Sequence, residues 1–385
     1  MTYPPQDHHL SAATIERVEA HVLRCPIDTP VRTSFGVMHD RPAVFIRVID
    51  RDGASGWGEV WCNFPSCGAE HRAALVQTVF APLVEGQRVT HPAVLFDQLS
   101  ARTAVLALQS GEHGPIAQVI AGIDLAVWDL QARRARLPLW RLLGGERDEI
   151  GVYASGLNPV GAEPIVSERL ARGFDAFKLK LGFGRERDAA NLKRLRGLIG
   201  PHRRLMVDAN QAWDLETALE ICDILEGQQL GWLEEPLRCD RPLNEWRTLS
   251  ARCPVPLAAG ENLANALAFE EGIVSGALKV IQPDAAKWGG ISGNWPVTQA
   301  IQAAGLVYCP HYLGGGIGLL ASAHLLAAAG DSGGRGLLEV DANPNPLRSL
   351  LSGSIEMPIE GRVRLGEAPG IGIEPDIAEL RRAIA

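Results

Sequence analysis

The run Ala176-Phe-Lys178-Leu-Lys180-Leu181 places two lysines at the end of a short apolar strand, and the same layout returns further along with carboxylates. Leu205-Met-Val-Asp208, Gly231-Trp-Leu-Glu234-Glu235-Pro236 and Leu257-Ala-Ala-Gly260-Glu261-Asn262 each bring a brief apolar stretch to an acidic end. Working outward, strand-like segments fall at residues 150–154, 176–181, 205–208, 231–234, 257–260, 278–282, 306–310 and 336–340, with helical stretches between them. This alternation predicts an α/β fold, a (β/α)8-type barrel modified to (β/α)7β because no plausible helix follows the last strand. A doubly wound sheet alternates in the same way, but no glycine fingerprint follows the first strand.

Ahead of the repeat the chain reads differently. Arg41-Pro-Ala-Val-Phe-Ile-Arg-Val-Ile-Asp50 is rich in β-branched residues, and Asp52-Gly53 turns it toward Gly56-Trp-Gly-Glu59. A polar, turn-rich stretch at 28–40 separates two of these strands. Helical periodicity follows over 69–84, 92–107 and 115–136, the last with Ile116, Val119, Ile120, Ile123, Val127 and Leu130 on one face. Strands followed by helices describe an α+β unit. In 385 residues we expect a capping domain over 1–140, a barrel over 141–354, and a tail over 355–385 packing back on the cap.

Barrel enzymes build their sites where the strands end. Lys178 and Lys180 share one side of their strand, the interior of a barrel, where lysine is costly unless acidic groups offset it. Asp208, Glu234 and Glu261 come from three successive strands. Singly each reads as a helix cap or ion-pair partner; converging in a low-dielectric mouth they repel, and a hard divalent cation relieves that. Ligation by oxygen alone favours Mg²⁺, one ion per site, over zinc. Glu235 is expected on the other side of its strand. Asp284, in Ile281-Gln-Pro-Asp284-Ala-Ala-Lys287-Trp-Gly-Gly290, and His311, in Tyr308-Cys-Pro-His311, end adjacent strands. A neighbouring carboxylate fixes an imidazole tautomer and raises its basicity, so a dyad is expected.

In order, Lys178-x-Lys180, Asp208, Glu234-Glu235-Pro236, Gly260-Glu261-Asn262, Asp284-x-x-Lys287-x-Gly289-Gly290 and His311 resemble the enolase superfamily, within it the mandelate racemase subgroup. Gly56-Trp-Gly-Glu59 and Asp124-Leu-Ala-Val-Trp-Asp129 are similar to that family's capping domain. The resemblance implies that Asp208, Glu234 and Glu261 hold Mg²⁺ and that Lys180 is one acid/base. Lys178 would help bind the substrate carboxylate and depress the pKa of Lys180 by like charge. His311, poised by Asp284, would be the second acid/base on the opposite face. Glu339 would hydrogen-bond the carboxylate and Asn210 reach the alpha substituent. The implied chemistry is removal of the proton alpha to a carboxylate through an enediolate. Dehydration of a hydroxy acid is expected ahead of racemisation or epimerisation, which stay open, as does a cyclic amino or hydroxy acid as substrate. A barrel binding carboxylate or metal without turnover is the alternative of another class, and the complete set from Lys178 to His311 argues against it. Specificity is expected in two cap loops, one with Arg32, Thr33, Ser34, Phe35 and Met38, the other with Trp61, Asn63 and Phe64.

Composition sets the outer bounds. Net charge is −8 and the arginines are scattered, which excludes a basic footprint for nucleic acid. No apolar run approaches the roughly 20 residues that span a bilayer. The polar first ten residues lack the layout of a secretory signal and read as a loose tail. Seven cysteines without a Cys-x-x-Cys pair read as reduced thiols in a cytoplasm. The expected partners are a small carboxylate and, as a homo-oligomer, further copies of the chain.

Overall fold

The computed structural model of the chain describes residues 10–32, 36–330 and 332–384. Phe35, Thr33 and Ser34 lie outside the described residues, as do the side chain of Arg32 and the first nine residues. Strands β1 (Ala13–Arg32), β2 (Val37–Asp50), β3 (Ser55–Val60) and β4 (Arg88–Val89) form an antiparallel sheet in the order β3-β2-β1-β4. The pairs Val31↔Met38 and Arg32↔Val37 carry the first hairpin deep into 28–40, where the sequence predicts a turn. Among the described residues one side of β1 has no ladder beyond Thr14, so Pro26 and Pro30 sit at an edge where a missing N–H costs nothing.

Glycines decide how near this sheet comes to the helix His113–Ala135. A Cβ on Gly58 would lie 2.0 Å from the Gly122 carbonyl oxygen, and one on Gly56 2.2 Å from that of Ala126. The alternate glycines of β3 therefore let a strand rest on helix backbone. On another side this helix packs against the barrel helix Gly290–Ala303, so every residue from 118 to 132 is buried. The predicted helix over 69–84 is broken by a π turn at Val76–Phe80. Pro82 explains it: with no N–H for Thr78 and a ring that crowds that carbonyl, it forces the turn wider.

Eight parallel strands follow: β5 (Glu149–Leu157), β6 (Ala176–Lys180), β7 (Arg204–Asp208), β8 (Leu230–Glu234), β9 (Leu257–Ala259), β10 (Leu278–Ile281), β11 (Val307–Tyr308) and β12 (Leu337–Asp341). Each pairs with the next as far as β11, and β12 returns to β5. Glu339 N bridges the remaining gap to the Pro310 carbonyl at 3.4 Å, leaving a nearly closed barrel. Side chains alternate with the two-residue period of a strand. Ala176, Met206, Trp232, Ala258, Val280 and Leu337 fill the interior, while Phe177, Leu179, Leu205 and Val207 face the surrounding helices. In that register Lys178 and Lys180 follow Ala176 inward, Asp208 follows Met206, and Glu234 follows Trp232.

After β12 only the short helix Pro346–Ser352 remains of an eighth helix. The tail does not go straight to the cap. It first adds β13 (Arg362–Arg364) antiparallel to β5, then crosses to the cap, where Ile371 N donates to Asp129 and Arg133 to Glu374.

Candidate active site

At the carboxyl ends of the barrel strands, Asp208, Glu234, Glu235, Glu261, Asp284 and Glu339 meet Lys178, Lys180, Lys287 and His311 in one largely buried cluster. Lys178 Nζ lies 2.5 Å from Glu234 Oε1, 2.9 Å from Glu339 Oε1 and 4.0 Å from Asp208 Oδ2. Burial opposes its charge, but Glu234 and Glu339 outweigh that and hold the ammonium well above its ordinary pKa. Lys180 Nζ lies 3.2 Å from Asp208 Oδ2 and donates to Asn210 Oδ1. The like-charge depression expected for Lys180 is present but outweighed. Burial and Lys178 pull its pKa down, yet Asp208, with Glu261 and Glu339, raises it above the usual lysine value.

His311 enters from another part of the rim. Its Nδ1 is 2.7 Å from Asp284 Oδ2 and its Nε2 is 2.9 Å from Glu261 Oε2. With a carboxylate at each ring nitrogen the imidazolium is favoured, and despite burial the pKa sits well above the ordinary histidine value. Lys287 Nζ is 3.1 Å from Glu261 Oε1 and 4.8 Å from the centre of the Trp61 ring. The second cap loop is thereby drawn onto the rim. Asn63 Nδ2 also donates to the Leu313 carbonyl at 2.7 Å, and the Phe64 ring closes against Gly36 of the first loop.

Asp208 and Glu234 stand side by side in register on β7 and β8, with Glu261 just beyond β9. They do not close on a common point: among the described residues no three His, Cys, Asp or Glu side chains are placed to hold one ion. Lysine ammonium groups stand against Asp208 and Glu234 instead, and Glu261 turns to His311 and Lys287. The donor set still fits a hard divalent cation. Its ligands are oxygen alone, and the six carboxyl groups of the cluster outnumber its four cationic side chains. Glu234 registers that excess. Burial, together with Asp208, Glu339 and Glu261, pushes it up to about 7 even though Lys178 opposes.

Several members of the cluster escape a reading of the sequence. Glu235 does not point away: β8 ends at Glu234, and at φ 37 the Glu235 backbone swings its carboxylate back to accept from Asn262 Nδ2 at 2.9 and 3.0 Å. Asn210, expected at the substrate, here holds Asp208 through its Nδ2 at 3.0 Å. Ser155 donates to Glu339 Oε1, and Gln282 Nε2 donates to Glu234 Oε2 at 2.6 Å. Ser155 follows Tyr153, and Gln282 follows Val280, by the two residues that keep a side chain on the inward face, which is the signal that could have found them. Arg41 on β2 and Asp341 on β12, both buried, pair at 2.5 Å and tie the cap to the last barrel strand.

A parallel barrel under an α+β cap, with paired lysines, oxygen ligands and an Asp–His dyad at the strand ends, defines an enolase-type enzyme, a lyase or isomerase. The chain belongs to the mandelate racemase/muconate lactonizing enzyme group of the enolase superfamily. Residues 17–144 match the mandelate racemase/muconate lactonizing enzyme N-terminal domain, and residues 164–380 match the enolase C-terminal domain-like family. A D-galactarolactone cycloisomerase from Agrobacterium fabrum is 30% identical over 376 residues, covering 94% of this chain and 96% of that protein. A mandelate racemase/muconate lactonizing enzyme structure from Bordetella bronchiseptica superposes with a TM-score of 0.91 at 56% identity, over 97% of this chain and 100% of that one. A racemase from Streptomyces coelicolor with bound magnesium reaches 0.84 at 27% identity, over 96% and 99%. Other relatives are named as acid-sugar dehydratases and an epimerase.

Proposed function

We propose that Asp208, Glu234 and Glu261 hold one Mg²⁺ and that the chain removes the proton alpha to the carboxylate of a small hydroxy acid. The bound ion supplies charge neutralisation at the substrate carboxylate as enediolate character develops. One observation carries the reading: the Lys178–Lys180 pair on β6 and the Asp284–His311 pair beyond β10 and β11 reach the same carboxylate cluster from different sides of the barrel mouth. Lys178, locked between Glu234 and Glu339, keeps its charge and draws the substrate carboxylate. Lys180 is the more exposed of the two and serves as the base. With Asp208 and Glu261 neutralised by such an ion, Lys180 would lose most of the field that raises its pKa, and burial and Lys178 would pull it down. His311, protonated at both nitrogens, gives a proton to the oxygen leaving the β carbon. Seven thiols, all unpaired, support a reducing cytoplasmic setting.

Dehydration of an acid-sugar-type substrate is the first reading, supported by the two relatives named as dehydratases. Racemisation is the second, favoured by the two-sided base arrangement. Incubation with acid sugars, hydroxyprolines and N-modified amino acids in D₂O with Mg²⁺, read by product mass and optical rotation, separates them. Loss of water from a hydroxy acid is expected. Inversion of rotation without loss of mass would move the chain to the racemases. If no acid exchanges its alpha proton, the reading is wrong.

A further inference from the structure

Glu234 is gripped on one oxygen by uncharged donors. Its Oε2 accepts from Trp232 Nε1 at 3.0 Å and from Gln282 Nε2 at 2.6 Å, while Oε1 faces Lys178. Both donors are buried beneath the rim. Trp232 precedes Glu234 by two residues on the same inward face of β8, and its ring stands edge-on to Tyr153 with centroids 5.5 Å apart, which fixes the direction of its N–H. Gln282 reaches in from the next-but-one strand. Its own carbonyl oxygen is buried without a partner, so the contact with Glu234 is what sets its amide. A carboxylate oxygen accepts about two hydrogen bonds in its plane, so Oε2 has no lone pair left for a metal.

We propose that Trp232 and Gln282 are positioning residues that confine Glu234 to a one-oxygen ligand and so bias the site toward Mg²⁺ and against Ca²⁺. The proposal rests on the reading that Glu234 is a metal ligand. Mg²⁺ takes six oxygens at about 2.0–2.1 Å in near-octahedral geometry, whereas Ca²⁺ accepts six to eight at about 2.3–2.6 Å and uses two-oxygen carboxylates readily. Without the two N–H donors, Oε2 is released to swing onto the ion, which raises the coordination number. Only the larger cation profits from that.

The test is calorimetric titration of Mg²⁺ and of Ca²⁺ into metal-free wild type, Trp232→Phe, Gln282→Leu and the double variant. Phenylalanine keeps a ring against Tyr153 and leucine keeps bulk, so thermal melts should show folded proteins; the single variants carry the test if the double does not fold. In the double variant the preference for Mg²⁺ over Ca²⁺ should fall about tenfold, the scale on which partners of metal ligands act. The larger share should come from Gln282, which makes the shorter bond. A ratio unchanged within about twofold, or an equal loss of both metals, overturns the proposal while leaving the Mg²⁺ site in place. If the wild type binds neither ion, the functional reading fails first and takes this inference with it.

Discussion

Two groups of buried carboxylates in this molecule make an informative pair, because their partners differ. At the barrel mouth Asp208, Glu234, Glu261 and Glu339 face ammonium groups and an imidazole. At the seam between cap and barrel the partners are chiefly backbone N–H groups. Glu59 accepts from Gly315 N at 2.5 Å and Gly318 N at 2.9 Å, and Asp124 from Ile291 N at 2.8 Å, Ser292 N at 2.9 Å and Ser292 Oγ at 2.5 Å. Asp129 accepts from Trp57 N, Ile371 N and Arg133 Nε at 2.7 to 2.8 Å. A backbone N–H cannot leave its acceptor without local unfolding, whereas an ammonium can swing aside, lose a proton or give way to a metal. The seam is therefore architecture and the mouth is chemistry, although both are built from the same residue type at similar burial.

If that contrast holds, the largest effects on turnover belong to the mouth. Lys180→Ala and His311→Asn should each lower turnover by roughly 10²–10⁴-fold, the usual worth of a positioned acid/base, with little change in melting temperature. In D₂O His311→Asn should still exchange the alpha proton through Lys180 without expelling hydroxide, whereas Lys180→Ala should not exchange it; exchange of opposite configurations by the two variants would favour racemisation. Full turnover in His311→Asn would leave Lys180 as the only acid/base and make the Asp284–His311 pair structural.

Metal dependence sharpens the same side. Chelation should abolish turnover, and added Mg²⁺ should restore it and raise the melting temperature by mass action. Glu234→Gln should cost on the order of tenfold or more in Mg²⁺ affinity, since even partners of ligands are worth that much. Unchanged affinity and turnover would mean the ligands are misassigned.

The seam should answer in stability instead. Asp129→Ala strands two buried N–H groups, Trp57 and Ile371, each costing about 1–3 kcal/mol, so the unfolding free energy should drop by about 2–6 kcal/mol. The fraction still folded should turn over at the wild-type rate. A variant that melts like wild type but has lost activity would erase the distinction between the two regions.

What could be read from the sequence is what repeats along it. Lys178, Lys180, Asp208 and Glu234 are legible because strand alternation carries them inward with Ala176, Met206 and Trp232, and Asp284 and His311 because consecutive barrel strands are neighbours. Glu235 was misread because alternation stops where the strand stops, and a positive φ then decides the direction. The net field at Lys180 is not legible because pairing along one strand shows Lys178, which does lower the pKa, but not Asp208 on the next strand, nor Glu261 and Glu339, which together outweigh it. Contacts such as Arg41–Asp341, or the β5–β13 pair that holds the tail to the barrel, join segments far apart in sequence. The glycines of Gly56-Trp-Gly-Glu59 were legible as a motif, but only the structure supplies their reason, a helix backbone lying against the strand.

The smallest expected effect tests whether the seam carboxylates stand apart electrostatically as well. Burial pushes Asp124 up to about 7, against the hydrogen bonds from Ser292 and Ile291, while an unfolded aspartate titrates near 4. A carboxyl whose pKa is raised by folding binds its proton more tightly in the native state. Its contribution to stability is therefore complete below pH about 4 and is lost as the pH rises through about 7. Asparagine cannot titrate but keeps a carbonyl acceptor for the N–H groups at the start of the helix Gly290–Ala303. Melting temperatures of Asp124→Asn should accordingly decline less than those of wild type between pH about 5 and 7.5, and the difference between the two profiles cancels the other titrating groups. Parallel profiles would mean that Asp124 is ionised throughout, held by its three donors and the positive end of that helix. In that case the seam, like the mouth, would rest on charge, and only the mobility of the partners would still separate the two regions.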